Sequence, residues 1–282
     1  MTRLRFRLAV HVLLLVFGST SIALAAVDNA FTEGVKLFRA GKYKEAVAAY
    51  DRAAKAAPTA AEVYNNRGLA YYKLGDAARA LKDYNEALRL DPKLLDARVN
   101  RANAHFGEKR FDLAIKDYDE VIKRNPKIPG VLRQRGLAYA SLGQHEKAIE
   151  DFGQAQKLDP KDPEIYQYRG LSYRRLGRYE EAIKDYTEAV KLKGDNAEAY
   201  NNRANAYSLS GQYELALKDF DAAVKIAPKN ANILANRGVI KLRLGRTDEA
   251  QQDFDRAIEL DPTLKNKLAA LTSPAKPPAE NR

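Results

Sequence analysis

Two residue types that form ion pairs and anion sites recur along this chain at an interval of 34 residues. Arg67, Arg101, Arg135, Arg169, Arg203 and Arg237 make one column, and Asp83, Asp117, Asp151, Asp185, Asp219 and Asp253 make the other. A guanidinium presents a planar fork of donors that fits a phosphate or a carboxylate through two parallel hydrogen bonds. The arginines could therefore form a row of sites for an anionic ligand or a ladder of internal pairs. The pattern favours pairing, because the first period lacks both residues and carries Glu33 and Ala49 in their places.

A second column could bind a ligand through neutral polar groups. It holds Asn66, Asn100, Gln134, Asn202 and Asn236, with Thr32 and Tyr168 in the other two periods, and Asn103 and Asn205 join it three residues on. A carboxamide both donates and accepts, so a row of them can pair with the backbone of an extended peptide whatever its side chains. Asparagine is a weak helix former, and a face that was merely solvated would do better with Glu, Lys or Gln. Along one edge of this column stand Arg39, Lys73, Arg174, Arg175 and Arg243, and along the other Asp28, Glu62, Asp96, Glu164 and Glu198. A helix dipole favours acids first and bases last, so that polarity has a structural reason as well.

Catalytic chemistry finds little to work with. His105 and His145 occupy columns that hold aromatic rings elsewhere (Tyr71, Tyr139 and Tyr173; Tyr43, Phe111 and Tyr179), which makes them packing substitutes. The chain has no Cys, so no disulfide or thiolate metal site is expected. No glycine-rich phosphate loop or nucleophile elbow is present. We expect no catalytic residues, no metal and no cofactor.

The elements that position these columns follow from the same register. Gly34, Gly68, Ala102, Gly136, Gly170, Ala204 and Gly238 align, as do Ala46, Ala80, Ala114, Ala148, Ala182, Ala216 and Ala250. Tyr50, Tyr84, Tyr118, Phe152, Tyr186, Phe220 and Phe254 form an aromatic column, and Pro58, Pro92, Pro126, Pro160, Pro228 and Pro262 close the periods. In the second period the spacing predicts one helix over Ala61 to Leu74 and an antiparallel partner over Ala77 to Leu90. Small residues let the two backbones approach and rings fill the gaps beside them. Gly75 supplies the turn, and Asp91-Pro92 stops the second helix, because a residue before proline is pushed out of helical geometry. The carboxamide column then lies about 200° around the first helix from Tyr64, opposite the packed stripe.

Small residue, alanine, aromatic and proline at these spacings resemble the tetratricopeptide repeat signature, from about Val27 to Leu264. Tyr64, Tyr166 and Tyr200 stand where that family often has Trp, and Arg stands where it often has Leu before the first glycine. The resemblance implies an all-α, right-handed superhelical solenoid of seven tandem helix–turn–helix repeats, at 27–60, 61–94, 95–128, 129–162, 163–196, 197–230 and 231–264. It also implies that the stripe of Glu62, Asn66, Leu69 and Lys73, with its equivalents, lines a concave groove. Family members that clamp a carboxyl-terminal carboxylate need Lys where this chain has its acidic column, which disfavours that ligand.

Irregular places interrupt the register. The third repeat has Lys109 where others have a turn glycine and opens into Asn125-Pro126-Lys127-Ile128-Pro129-Gly130, and the fourth carries Gly153 inside its second helix. Any bend or fraying is expected there. A short capping helix is expected over 265–272, and 273–282, with Pro274, Pro277 and Pro278, reads as a disordered tail.

At the amino end, Arg3, Arg5 and Arg7 precede the apolar run Leu8 to Phe17, and the small residues Ala23, Ala25 and Ala26 follow. That order is that of a secretory signal, expected over 1–25 with cleavage after Ala25. Removing its three charges would take the formal net charge from +11 to +8. Lys and Arg are interleaved with acids in every repeat, which argues against a nucleic-acid partner. The expectation is an exported, periplasmic, non-catalytic scaffold that binds protein or peptide segments and assists assembly of envelope or secretion complexes. The alternatives are a membrane-anchored assembly factor with an uncleaved signal, membrane association depending on that signal, and a subunit of an enzyme complex such as a transferase. Oligomeric state is not encoded legibly.

Overall fold

The computed structural model describes residues 19–272, with side chains described over 28–271. The charged and apolar run of the expected signal and the proline-rich tail lie outside the described residues. Fifteen α-helices and one short 3-10 turn make up the elements among the described residues. The chain divides into two compact units, 1–126 and 127–282. The boundary falls in the Asn125 to Gly130 segment that interrupts the repeat register.

The first unit contains α1 (Ser19–Arg39), α2 (Tyr43–Ala56), α3 (Ala61–Lys73), α4 (Ala77–Leu90), α5 (Leu95–Gly107) and α6 (Phe111–Arg124). Each helix packs on the next, and the first helices of successive repeats also touch, α1 with α3 and α3 with α5. Ala46, Ala80 and Ala114 are fully buried, and Tyr50, Tyr84 and Tyr118 fill the space beside them. A Cβ added at Gly68 would stand 2.8 Å from the Tyr84 ring. The glycine is there because the ring already occupies its side-chain volume.

The second unit contains α7 (Pro129–Ser141), α8 (His145–Leu158), α9 (Pro163–Arg175), α10 (Tyr179–Leu192), α11 (Ala197–Leu209), α12 (Tyr213–Ile226), α13 (Ala231–Arg243), α14 (Thr247–Leu260) and α15 (Lys265–Thr272). The same alternation holds, with α7 touching α9 and α9 touching α11. Phe152, Tyr186, Phe220 and Phe254 are the buried rings of this unit. Helix α15 closes its end, burying Leu268 against Leu234, Ala235 and Phe254. An apolar face that a further repeat would otherwise cover is thereby protected.

Side chains start several first helices. Asp162 accepts from the Glu164 amide, Asn196 from those of Glu198 and Ala199, and Asn230 from those of Asn232 and Ile233. Turns between paired helices place Gly41, Gly75, Gly143, Gly177, Gly211 and Gly245 at positive φ. The third repeat meets the same need with Lys109 at φ 58°, a conformation that costs a side-chain-bearing residue about 1–2 kcal/mol. Gly107 ends α5 and does not relieve it.

Candidate partner-binding face

The arginine column is built as a set of forks. In the first unit Arg67 donates through Nε and Nη2 to the two Asp83 oxygens at 2.8 and 2.7 Å, and Arg101 does the same to Asp117 at 2.8 and 2.7 Å. In the second unit Arg135 holds Asp151 at 2.8 and 2.6 Å, Arg169 holds Asp185 at 2.8 and 2.7 Å, Arg203 holds Asp219 at 2.6 and 2.8 Å, and Arg237 holds Asp253 at 2.8 and 2.6 Å. Each fork joins the two helices of one repeat.

The remaining guanidinium nitrogen reaches back to the preceding repeat. Nη1 of Arg67 donates to Asp51 at 2.8 Å, that of Arg101 to Asn85 at 2.7 Å, that of Arg203 to Thr187 at 3.2 Å and that of Arg237 to Asp221 at 2.9 Å. All four acceptors lie 16 residues before their arginine. For Arg169 that position is Gly153, which offers no acceptor, and Gln156 replaces it at 2.8 Å. The aspartates are nearly covered, with side chains 3–8% exposed. Burial pushes the Asp185 carboxyl above the usual carboxylate range, and the Arg169 fork draws it back. The first repeat instead carries a reversed surface pair, with Arg52 on α2 donating to Glu33 on α1 at 2.7 Å.

The carboxamide column lies on the first helices, half-buried. Here the expectation of a stripe standing clear of the repeat packing needs correction. Asn100 Nδ2 donates to Asn65 Oδ1 of the preceding first helix at 2.9 Å, and Asn236 Nδ2 donates to Asn201 Oδ1 at 3.2 Å. Adjacent first helices touch, so a residue midway around them reaches its neighbour. Asn66 bonds its own helix at the Glu62 carbonyl, 2.8 Å away, and Asn103 accepts from the Tyr118 hydroxyl at 2.6 Å. The side chains of Gln134, Asn202 and Asn205 make no protein hydrogen bond among the described residues.

Sequence reasoning did not single out Asn65 and Asn201. The signal was available: each is followed by the column asparagine as an Asn-Asn pair, Asn65-Asn66 and Asn201-Asn202.

Tyr168 replaces the carboxamide in its repeat and stacks on Phe152, with centroids 6.2 Å apart. Lys73, Arg175 and Arg243 are exposed at the far edge of their helices, while Arg174 is half-buried with an Nε that meets no acceptor. His105 is half-buried among Asp117, Arg101 and Arg110, and burial lowers its pKa. Groups of three or more His, Cys, Asp or Glu arranged to hold a metal do not occur among the described residues.

Profiles described as tetratricopeptide repeat match residues 31–94, 95–128 and 195–263, and one described as TPR repeat matches 136–177 and 170–211. Among solved structures, a tetratricopeptide repeat protein from Parabacteroides merdae is similar over 88% of this chain and 99% of its own, at 22% identity and a TM-score of 0.66. The C-terminal part of a TPR repeat-containing protein from Cytophaga hutchinsonii is similar over 86% of this chain and all of its own, at 19% identity and a TM-score of 0.70. YrrB, described as a TPR protein with an unusual peptide-binding site, is similar over 66% of this chain and 95% of its own, at 21% identity and a TM-score of 0.58. At these identities the likeness is one of fold. A search of curated proteins finds no match.

Proposed function

Because the chain belongs to the tetratricopeptide repeat family, whose arrays generally act as non-catalytic protein-interaction scaffolds, we propose that its first-helix faces bind extended segments of partner proteins. The carrying observation is a difference within one column. Asn100 and Asn236 spend their carboxamides on neighbouring repeats, whereas Gln134 and Asn202 hold theirs on the same faces without a protein partner. A half-buried carboxamide with no partner is an unspent donor and acceptor for a peptide backbone. The peptide-binding site described for the similar YrrB array supports the same use of the fold.

We further propose that the protein works after export, in the periplasm, assisting assembly of envelope or secretion complexes. The support is the order of charged, apolar and small residues over 1–25.

Site-specific photo-cross-linking in the native host tests the binding face. A cross-linker at Asn66 or Asn202 is expected to trap partner chains, and one at Lys82 or Lys218, exposed on second helices, is expected to trap few. Adducts arising only from Lys82 and Lys218 would move the interaction to the other side of the repeats.

A further inference from the structure

The second unit has a cavity of about 400 Å³ on its first helices, lined among others by Arg133, Asp162, Glu164, Tyr168, Lys193 and Glu198. A neighbouring cavity of about 680 Å³ shares Lys193 and Glu198 and opens onto Asp195. Arg133 is already committed, since Nη1 donates to Asp162 at 2.7 Å and also to Glu164. Asp195 and Glu198 pair with no base among the described residues. Four carboxylates thus face two bases here, in a chain whose formal charge is +11.

Tyr168 sets this place apart from every other repeat. It is the aromatic member of a column otherwise made of carboxamides and one threonine. One side of its ring stacks on Phe152, and its hydroxyl makes no protein hydrogen bond. Burial raises its pKa, with Glu164, Glu198 and Asp162 adding to the shift and Arg133 opposing it, so the phenol stands within the field of all four.

We propose that this cavity receives a basic side chain, lysine or arginine, from the segment bound along the first helices of the second unit. The proposal rests on the binding face described above and adds what the segment must carry. An aromatic ring beside carboxylates accommodates the apolar stem and the charge of such a side chain together. An acidic or phosphorylated residue would meet Glu164 and Glu198 with like charge, and a neutral one would forgo their attraction. The other repeats have Asn, Gln or Thr at the Tyr168 position, so the preference belongs to one register of the segment.

An immobilised library of random twelve-residue peptides, probed with the full chain, reads this directly. The retained peptides are expected to be enriched in Lys or Arg at one position. Tyr168→Asn, which restores the column residue, and Glu198→Gln should each weaken a retained peptide about tenfold, with helicity checked by circular dichroism. Asn202→Ala should weaken retained peptides whether or not they carry the basic residue. Retention without basic enrichment, or unchanged binding by both pocket variants, would overturn the proposal and leave the binding face standing. Retention of no peptide at all would contradict both.

Discussion

Arg169 grips Asp185 through both carboxylate oxygens and turns its remaining nitrogen to Gln156, because the residue 16 positions earlier is Gly153. One guanidinium thereby ties the two helices of its own repeat to the second helix of the repeat before. Recurrence of that arrangement accounts for why Arg and Asp columns persist through the array and are absent together from its first repeat. The fork engages donors that an anionic ligand would need, so the arginine column is structural.

Removal of either partner should therefore be costly and non-additive. A double-mutant cycle with Arg169→Met and Asp185→Asn is expected to give a coupling energy of about 1–3 kcal/mol by denaturant unfolding, since hydrogen bonds to charged groups carry that weight when little exposed. Additive effects of the two substitutions would return the arginines to ligand binding.

The two local irregularities are expected to be improvable without touching the binding face. Gly153→Ala should raise stability by about 0.5–1 kcal/mol, because glycine in a helix interior is entropically unfavourable and a Cβ there would come no nearer than 3.8 Å to Arg169. Lys109→Gly should add about 1 kcal/mol by relieving the positive φ. Urea midpoints read both changes, and a decrease in either would contradict the corresponding account.

His105 should make stability depend on pH with a defined sign. Burial lowers its folded-state pKa, with Arg101 and Arg110 adding to the effect and Asp117 opposing it. The contribution is thus fully present above the unfolded value of about 6.5 and is lost as pH falls through the folded value. Replacing it with Tyr, the residue of that column in neighbouring repeats, should flatten the unfolding free energy between pH 7 and 5. An unchanged slope in the variant would assign the dependence to other groups.

Export predicts that the mature chain begins at Ala26, following cleavage after Ala25. Terminal sequencing of the protein from the host envelope reads this. Recovery of Met1 or Thr2 in that fraction would favour an uncleaved anchor.

The repeat register was legible in the sequence because close packing leaves so few choices: a position against the Tyr84 ring admits only a very small side chain, and Gly68 declares it. The Arg and Asp columns were legible for the same reason, as recurrence at one period exposes a shared geometry. The Asn100 bond to Asn65 was not, since an angle around a single helix says nothing about how near the next helix comes. The Tyr168 cavity was hidden too, because its residues come from α7, α9 and the approach to α11 and meet only after the repeats stack.

That distinction within the carboxamide column gives the most direct test. The measurement is the affinity of a cross-linked partner segment, made as a synthetic peptide, for Gln134→Ala/Asn202→Ala and for Asn100→Ala/Asn236→Ala, alongside the melting temperature of each. The first pair makes no bond between repeats, so its loss should weaken binding about tenfold or more, at about 0.5–1.5 kcal/mol per hydrogen bond, with melting nearly unchanged. The second pair should lower the melting temperature as well. Unchanged affinity in Gln134→Ala/Asn202→Ala, with the fold intact, would contradict the account of the first-helix face as the partner-binding surface.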